Sequence, residues 1–138
     1  MSFTRIWTVR FSDTDPFGIA HYPRMIDAVH ETSDMCMEAI GWPFWELSQT
    51  HEFGLPLVSM DFDFNRQIAA GDDVAIELLP TVGETSVQFE YTATHDGDIV
   101  FEGTEHRVCV PIGGDSGIEI PDDLRRSLET VDIQLEGD

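Results

Sequence analysis

A short stretch near the N-terminus, "SDTDPFGIAHYP" at residues 12–23, gathers residue types that can carry out acyl transfer. Asp15 supplies a carboxylate that can attack a carbonyl carbon or activate a water molecule. A helix predicted to begin near Pro23 has unpaired backbone N–H groups and a partial positive charge at its start. Because proline has no N–H, its neighbours Tyr22 and Arg24 are the expected donors to a carbonyl oxygen that gains negative charge.

The same stretch also has an ordinary structural interpretation. Asp-Pro and Phe-Gly pairs are common in turns, and Gly18 lets the backbone bend sharply or approach a substrate closely. Asp13 could tune Asp15 by like-charge repulsion, although a turn cap is the more usual role of such a residue. Spacing alone therefore leaves open both a turn followed by a helix start and a catalytic site.

The elements that would position these residues follow from hydrophobic periodicity. Alternation predicts strands over residues 3–11, 57–68, 73–80, 85–94 and 99–111. In the second of these, Val58, Met60, Phe62 and Phe64 are expected to form a buried face opposite a polar one. In the first, Phe3, Trp7, Val9 and Phe11 share a face with Arg5.

One long helix is predicted over residues 24–40. Five positions that follow a helical period step by three or four, namely Ile26, Val29, Ser33, Met37 and Ile40, with Cys36 beside them. Pro23 fits the first helical position and Gly41 is a credible C-terminal stop. Residues 44–54 are left as a connector, and a short helix is predicted after Pro121. The pattern predicts a single α+β domain over residues 1–138.

Such a domain leaves a sheet face or a sheet edge exposed, so dimerisation is a natural consequence. Five strands and one long helix cannot cover each other completely, because one helix spans only part of a sheet. The helix is expected to pack against the apolar face of the meander.

The charge balance excludes some partners. The 138 residues include 27 acidic and 7 basic ones, the basic ones all arginine, for a net charge of −20. There is no basic stripe for a nucleic acid. Repulsion on this scale is relieved when salt shortens the Debye length. The composition resembles that of proteins from salt-accumulating halophilic archaea; a cationic partner or an acidic protein from an ordinary cell are the alternatives.

Other sequence features point to a reduced, metal-free protein. Cys36 and Cys109 lie in apolar stretches and are expected to be buried free thiols. No His, Asp and Glu trio has metal-ligand spacing, so no metal is expected. Neither a signal-peptide pattern nor an apolar run of membrane-spanning length is visible, which predicts a cytoplasmic location without membrane association.

The segment "DPFGIAHYP" at residues 15–23 resembles the signature of the 4-hydroxybenzoyl-CoA thioesterase family, within the hot-dog fold superfamily. That signature reads Asp-Pro-x-Gly-Ile-x-x-Tyr-Pro, and its named positions are all present. The preceding "FSDTD" is similar to bacterial acyl-CoA thioesterases of the Tol-Pal cluster type. The resemblance implies a five-stranded antiparallel sheet wrapped around one long central helix, in dimers and often tetramers with active sites at the dimer interface.

The resemblance also implies roles for single residues. Asp15 matches the catalytic carboxylate, Tyr22 the residue whose backbone N–H polarises the carbonyl, and Gly18 the motif glycine. His21 departs from the hydroxybenzoyl pattern and is a further candidate for a residue that lines the site. The implied reaction hydrolyses an acyl-CoA to a free acid and coenzyme A, which is part of the substrate, so no separate cofactor is expected.

Coenzyme A carries phosphates, which arginine binds well through its paired N–H groups. Arg66 and Arg107 are the main candidates for this contact, whereas Arg125 and Arg126 are weaker ones because complementing the tail helix is an alternative role for both. The acyl group is not identified by the sequence. Four aromatic residues could line an aryl pocket or belong to the core or an interface: Phe17, Trp42, Phe44 and Trp45.

Two other functions fit the same fold. A dehydratase or hydratase acting on acyl thioesters would need His21, or His30 with Glu31, as its acid and base. A non-catalytic acyl-CoA binding protein would bind the thioester without turnover. Thiol release separates a thioesterase from both alternatives.

Overall fold

The computed structural model describes residues 1–136. A long helix, α1 (Tyr22–Ala39), lies against one face of a six-stranded sheet. In the order in which they pair, the strands are β3 (Leu57–Phe64), β6 (Asp98–Val108), β5 (Ser86–His95), β4 (Asp73–Val82), β1 (Phe3–Thr8) and β8 (Ile133–Gln134). The shorter elements are helices α2 (Phe44–Thr50) and α3 (Asp122–Glu129), and the paired strands β2 (Phe53–Gly54) and β7 (Val110–Pro111).

The α+β class is confirmed, but the expected sheet of five antiparallel strands is wrong in detail. Five strands do pair antiparallel, and β8 adds a sixth that runs parallel to β1, so the sheet is mixed. Two residues, Ile133 and Gln134, make that extra strand. So short a strand has no alternation to reveal it, and it forms only because the chain after α3 returns to β1.

The inner face of the sheet and one stripe of α1 make the core. The inward residues of β4 and β5 are almost completely buried: Val74, Ile76, Leu78, Val87, Phe89, Tyr91 and Ala93. From α1 they meet Met25, Ala28, Val29, Thr32, Ser33, Cys36 and Met37. The buried stripe is therefore rotated from the predicted one, because Ile26 and Ile40 are only partly buried.

Arg5 shares the inner face of β1 with Phe3 and Trp7, as the alternation predicts. Its buried guanidinium donates to the Thr32 hydroxyl and the Ala28 carbonyl on α1, which satisfies a charge that would otherwise be costly to bury. Phe11 was expected on the same face and is 84% exposed. The strand ends at Thr8, and Phe11 begins a short 3₁₀ turn that directs its ring outward.

The end of α1 follows the predicted stop at Gly41. Gly41 has a φ of 87° and its amide donates to the Glu38 carbonyl, while the Trp42 amide donates to the Met37 carbonyl. These two bonds form a Schellman motif, which needs a left-handed residue where glycine is favoured. The segment that follows was expected to be an irregular connector, but Phe44–Thr50 forms α2.

β3 occupies one edge of the sheet, and its predicted buried face is wrong. Val58, Met60 and Phe64 are exposed, and only Phe62 is partly covered. Nothing in residues 1–136 lies on the far side of this strand, because β6 is its one neighbour in the sheet. The strand also ends at Phe64, four residues before the predicted end.

No helix within residues 1–136 combines the length and the apolar character that crossing a bilayer requires.

Candidate active site

The motif at residues 12–23 folds into a small β-hairpin. The Asp15 amide donates to the Ile19 carbonyl at 2.9 Å, and the His21 amide donates to the Asp13 carbonyl at 2.8 Å. These bonds flank an antiparallel bridge between Thr14 and Ala20. The hairpin therefore pairs residues 13–15, which include Asp15, with residues 19–21, which lead directly into α1.

The tip of the hairpin is a tight turn built from Asp15, Pro16, Phe17 and Gly18. The Gly18 amide donates to the Asp15 carbonyl at 2.9 Å, and Gly18 adopts a φ of 79°. Asp at the first position and Pro at the second are typical of such a turn, and Gly supplies the left-handed conformation at its end. The turn interpretation of these residues is therefore confirmed.

Asp15 takes part in the turn with only one of its carboxylate oxygens. Oδ1 accepts a hydrogen bond from the Phe17 amide at 2.8 Å. Oδ2 has no hydrogen-bond partner within residues 1–136. The side chain is half-buried, so it is oriented by the turn and still offers one oxygen for chemistry. Turn formation and catalysis are thus compatible roles for this residue.

Further contacts fix the hairpin to the rest of the fold. The Ala20 amide donates to the Ile68 carbonyl at 2.7 Å, and Ile19 forms a bridge with Ala69. The Asp13 carboxylate accepts from the Arg10 amide at 2.9 Å, which is the capping role that the sequence favours. The motif is consequently fixed by residues 68–69 on one side and by Arg10 on the other.

α1 begins at Tyr22, so Pro23 is the second residue of the helix and not the first. The Tyr22 amide precedes every possible intrahelical acceptor, as expected of a first-turn donor. The Arg24 amide donates to the His21 carbonyl at 2.8 Å and is therefore occupied. Of the two donors that the sequence proposes, Tyr22 is the one that is available to a ligand.

The two aromatic side chains at the helix start point away from the core. Tyr22 is 61% exposed, and its ring contacts Phe64 edge-on with centroids 6.3 Å apart. The His21 ring is exposed and packs edge-on against Tyr22 at 5.6 Å. The motif, the helix start and the end of β3 therefore form one continuous surface.

A cavity of about 230 Å³ lies at this surface. Ile19, Ala20 and Met25 line it from the motif and the first turns of α1, and residues 64–68 line it from the end of β3. Asp15 is on the adjoining hairpin and not among the lining residues. Within one chain, the candidate carboxylate and this cavity are neighbours and do not form a closed pocket.

The two predicted phosphate-binding arginines differ in environment. Arg66 is exposed, lines the cavity and forms an ion pair with Asp98. Arg107 is only 6% exposed, and its guanidinium donates to the Leu55 carbonyl at 2.9 Å. Arg107 also lies over the Phe44 ring, 5.0 Å from its centroid. This placement favours a structural role for Arg107 over a phosphate contact.

Arg107 belongs to a buried polar network that sequence reasoning missed. Its Nη2 lies 3.6 Å from Glu105 and 3.3 Å from Nδ1 of His30 on α1. The Tyr91 hydroxyl donates to Glu105 at 2.5 Å. Burial, followed by the Glu105 charge, raises the pKa of Tyr91 well above its ordinary value, so the phenol stays protonated. Glu105 and Arg107 share the inward face of β6 with Phe101 and Gly103, since the four residues are spaced by two, and that placement was the available signal.

Glu31 and the two cysteines are the remaining candidates from the sequence, and their surroundings favour structural roles. Glu31 pairs with the buried Arg5 at 2.8 Å, which gives it a structural contact at the surface of α1. Cys36 and Cys109 are buried free thiols as expected, and burial raises the pKa of Cys36 to about 12. Burial also raises the pKa of Cys109. Across residues 1–136, no group of three His, Cys, Asp or Glu side chains is placed to hold a metal ion.

Comparison with protein families gives a match over most of the chain. Residues 9–128 match the sequence model of the Thioesterase-like superfamily. The chain belongs to that superfamily. The matched range contains the whole motif hairpin, α1 and the sheet from β3 to β6, so the superfamily covers every element of the candidate site.

Individual members of the superfamily are similar along nearly their full length. A 1,4-dihydroxy-2-naphthoyl-CoA hydrolase from Nostoc punctiforme is 30% identical over 138 residues, covering 99% of this chain and 93% of that protein. A 1,4-dihydroxy-2-naphthoyl-CoA thioesterase structure from Synechocystis has a TM-score of 0.87 at 19% identity, covering 95% of this chain and 98% of that one. A 4-hydroxybenzoyl-CoA thioesterase structure has a TM-score of 0.83 at 22% identity, covering 92% and 98%.

The two structural similarities confirm the hot-dog thioesterase fold that the motif resemblance implies. They lie below 25% identity and are evidence for the fold alone. Assignment to the 4-hydroxybenzoyl-CoA family within the Thioesterase-like superfamily stays a prediction, as do the roles of Asp15, Tyr22, Gly18 and His21.

Proposed function

We propose that this protein is an acyl-CoA thioesterase that hydrolyses an aromatic acyl thioester to a free acid and coenzyme A. The observation that carries the proposal is the state of Asp15. One carboxylate oxygen is held by the turn while the other is unpartnered, on a hairpin that leads directly to the Tyr22 amide. Membership of the Thioesterase-like superfamily supports the reaction type.

In this proposal the Tyr22 amide holds the thioester carbonyl oxygen. The partial positive charge of the first turn of α1 acts in the same direction, because α1 is 18 residues long and its dipole points towards this end. As the carbonyl carbon becomes tetrahedral, its oxygen gains negative charge and the hydrogen bond strengthens. The neighbouring Arg24 amide does not take part, since the His21 carbonyl already accepts from it.

Asp15 then acts in one of two ways. As a general base it removes a proton from water, and the resulting hydroxide attacks the carbonyl carbon. As a nucleophile it attacks that carbon itself and forms a mixed anhydride, which water later hydrolyses. In both routes the C–S bond breaks and the coenzyme A thiolate leaves. Gly18 allows the turn that orients Asp15, and His21 lies beside the Tyr22 amide, where it can contact the acyl group.

The proposed acyl group is hydroxylated and aromatic. The Nostoc punctiforme relative, at 30% identity, is named for a dihydroxynaphthoyl thioester. Aromatic side chains border the motif here, since Tyr22 contacts Phe64 and Phe17 is exposed at the hairpin tip. Such rings suit a flat acyl group.

Arg66 is the proposed contact for the coenzyme A phosphates. It is the exposed arginine that lines the cavity beside the motif, and its partner Asp98 is a surface carboxylate that a phosphate can displace. Because the chain carries a net charge of −20, such binding is expected to need salt that screens the general repulsion. Arg107 is not part of this proposal.

We also propose that the working form is a homodimer, or a homotetramer made of two dimers, with the active sites at the dimer interface. The open cavity and the exposed Tyr22 support this, because a second chain would close the site. A cytoplasmic location in a salt-rich cell, of the kind that halophilic archaea have, fits the acidic composition.

The test is Asp15→Asn, with thiol release followed by a colorimetric reagent at about 1 M KCl, where screening is strong. Asparagine can still accept the Phe17 hydrogen bond, so the turn is expected to persist. We expect hydrolysis to fall by about 10²–10⁴-fold, the usual loss when a general base or nucleophile is removed. Asp13→Asn is the matched control, since it also neutralises a carboxylate in this loop.

Hydrolysis rates on a panel of aromatic, short-chain and long-chain thioesters identify the acyl group that the protein prefers. Full activity in Asp15→Asn would refute the role of Asp15. Addition of water to an enoyl thioester without thiol release would point instead to a hydratase, and binding without turnover to a non-catalytic protein.

A further inference from the structure

The His95 ring, at the end of β5, lies between two loops. Its Nδ1 is 2.8 Å from the Asp73 carbonyl oxygen, and because a carbonyl can only accept, Nδ1 carries the proton. Nε2 faces Asp96 Oδ2 at 3.4 Å and Asp72 Oδ1 at 3.6 Å. Nε2 gains a proton only when the ring becomes cationic, so its pairing with the two carboxylates depends on pH.

The other charged groups that face His95 have partners of their own. Arg66 and Asp98 line a cavity of about 140 Å³ together with His95, and they form an ion pair with each other. The Asp73 carboxylate accepts a hydrogen bond from the Thr8 hydroxyl at 2.6 Å. The charge of His95 is therefore expected to act mainly on Asp72 and Asp96.

Burial favours Asp72 over Asp96 as the stronger partner. The side chains of His95 and Asp72 are 26% and 29% exposed, whereas Asp96 is 87% exposed at the tip of the turn between β5 and β6. Salt and solvent screen a partly covered pair less than an exposed one. The pairing of His95 with Asp72 is thus the contact that is expected to matter.

Asp72 connects His95 to the motif hairpin. Its second oxygen, Oδ2, accepts from the Ala69 amide at 2.8 Å and closes the loop of residues 69–72. Ala69 forms the bridge with Ile19, whose carbonyl accepts from the Asp15 amide at 2.9 Å. Continuous contacts therefore run from His95 to Asp15 through loop 69–72 and Ile19.

We propose that His95 is a positioning residue for hydrolysis, and that its protonated ring, by pairing with Asp72, stabilises the loop that holds the motif hairpin. The inference rests on the proposed function, because it takes Asp15 as the reacting carboxylate. His95 is not among the residues that line the cavity beside the motif, so its effect passes through loop 69–72. Small displacements of a reacting group lower the rate strongly.

The direction of the pH dependence follows from the charge of His95. The hydrogen bond to the Asp73 carbonyl, with support from the nearby carboxylates, raises the pKa of His95 above its ordinary value of about 6.5. At lower pH the ring is charged and pairs with Asp72. As pH rises through the folded-state pKa this pairing is lost, so the contribution of His95 to hydrolysis is expected to disappear.

The experiment compares kcat of wild type and His95→Asn between about pH 6 and pH 9, with saturating aryl thioester and constant KCl. Asparagine keeps a donor for the Asp73 carbonyl and lacks Nε2. Thiol release is followed with a pyridyl disulfide reagent, which reacts across this range. We expect wild type to be roughly two- to fivefold faster at about pH 6 and equal at about pH 9. KM should not change, because Arg66 and the cavity beside the motif are unaltered.

Three further variants test the pairing itself. Asp72→Asn keeps an oxygen for the Ala69 amide and loses the charge, so it should reproduce the loss at about pH 6. His95→Lys stays charged throughout this range and should retain the low-pH rate up to about pH 9. Asp96→Asn is the matched control: it removes the exposed carboxylate beside Nε2, asparagine tolerates the φ of 50° at this position, and the wild-type profile should persist.

Amide hydrogen exchange measures the coupling without activity. At about pH 6 we expect faster exchange in His95→Asn within residues 12–21 and 69–72, and unchanged exchange within residues 86–91 of β5. The wild type and the variant should exchange alike at about pH 9. Equally faster exchange in all three segments would show a general loss of stability and overturn the proposal.

Two kinetic results would also overturn it: a ratio of wild type to His95→Asn that is constant with pH, or a loss in Asp96→Asn that Asp72→Asn does not show. Local, pH-dependent exchange in a chain that hydrolyses no thioester would refute the proposed function and leave the coupling of His95 to the hairpin standing. Hydrolysis that requires Asp15 but has the same pH profile in every His95 variant would do the reverse.

Discussion

At the scale of single residues, the two carboxylate oxygens of Asp15 have different surroundings, which suits the proposed double role of this side chain in folding and chemistry. Its Oδ1 accepts a hydrogen bond from the Phe17 amide, and this bond also orients Oδ2. Rotation of the side chain would break this bond, whereas the backbone bond from the Gly18 amide to the Asp15 carbonyl would remain. The fold therefore favours one orientation of Oδ2, the oxygen that we propose to be reactive.

His95 gives a pH-dependent contribution to stability. Its Nδ1–H donates to the Asp73 carbonyl at 2.8 Å, and its Nε2 faces Asp96 at 3.4 Å and Asp72 at 3.6 Å. The hydrogen bond to Asp73 is the main cause of the raised pKa of His95, and the nearby carboxylates add to it while burial opposes it. A raised folded-state pKa stabilises the fold below the ordinary value of about 6.5, and this contribution is lost as pH rises through the folded-state pKa.

The corresponding prediction is that His95→Asn reduces the fall in unfolding free energy between about pH 6 and pH 8. Urea unfolding at several pH values and constant salt measures it. His106→Asn is the control, because His106 is an exposed strand residue. Equal pH slopes for wild type and His95→Asn would show that His95 contributes nothing to this dependence.

The candidate site shows what can be predicted for single residues. The types and order of Asp15, Gly18 and Tyr22 indicate a turn and a helix start, and both are present. Spacing alone could not distinguish the Tyr22 amide from the Arg24 amide as the available donor, since that depends on the His21 carbonyl accepting from Arg24. The burial of Arg107 was missed because its partners, the Leu55 carbonyl and His30, are distant in sequence.

At the scale of elements, β3 shows that alternation predicts a strand and its two faces, whereas the sheet topology decides whether a face is buried. Its pattern correctly predicts a strand and correctly divides Phe62 from Asp61 and Asp63. Whether a face is covered depends on the position of the strand in the sheet. β3 lies at the edge because its one neighbour in the described sheet is β6, which is about 40 residues away in sequence. α2 was missed for a different reason, since seven residues with only Leu47 fully buried show no helical period.

The contact between β3 and β6 depends on Gly103. A Cβ at this position would overlap the Asp61 carbonyl oxygen and the Phe62 ring. We predict that Gly103→Ala separates the two strands and lowers the free energy of unfolding by about 3 kcal/mol, the upper part of the usual cost of overpacking. Urea unfolding at a fixed protein concentration measures this. Gly54→Ala in β2 is the control, because its nearest atom, in Pro56, is 3.9 Å away; equal losses in the two variants would contradict the prediction.

At the scale of the whole molecule, the α+β class followed from the order of periodic segments, and the sixth strand did not. β8 pairs with β1 because α3, which packs Leu124 and Leu128 into the core, returns the chain to that strand. The sheet surface opposite α1 then carries carboxylates from several strands, among them Asp61, Asp63 and Glu102. Folding therefore brings acidic residues that are distant in sequence together on this surface.

The last prediction concerns the net charge of −20. Compaction brings these charges closer together, so repulsion lowers the free energy of unfolding more at low salt than at high salt. We expect the urea midpoint to rise between about 0.1 M and 1 M KCl, where the Debye length falls from about 10 Å to 3 Å, with an unchanged m-value. Urea is uncharged and leaves the screening intact. The measurement is made at a fixed protein concentration, and a midpoint independent of KCl would show that net repulsion is not a significant term in stability.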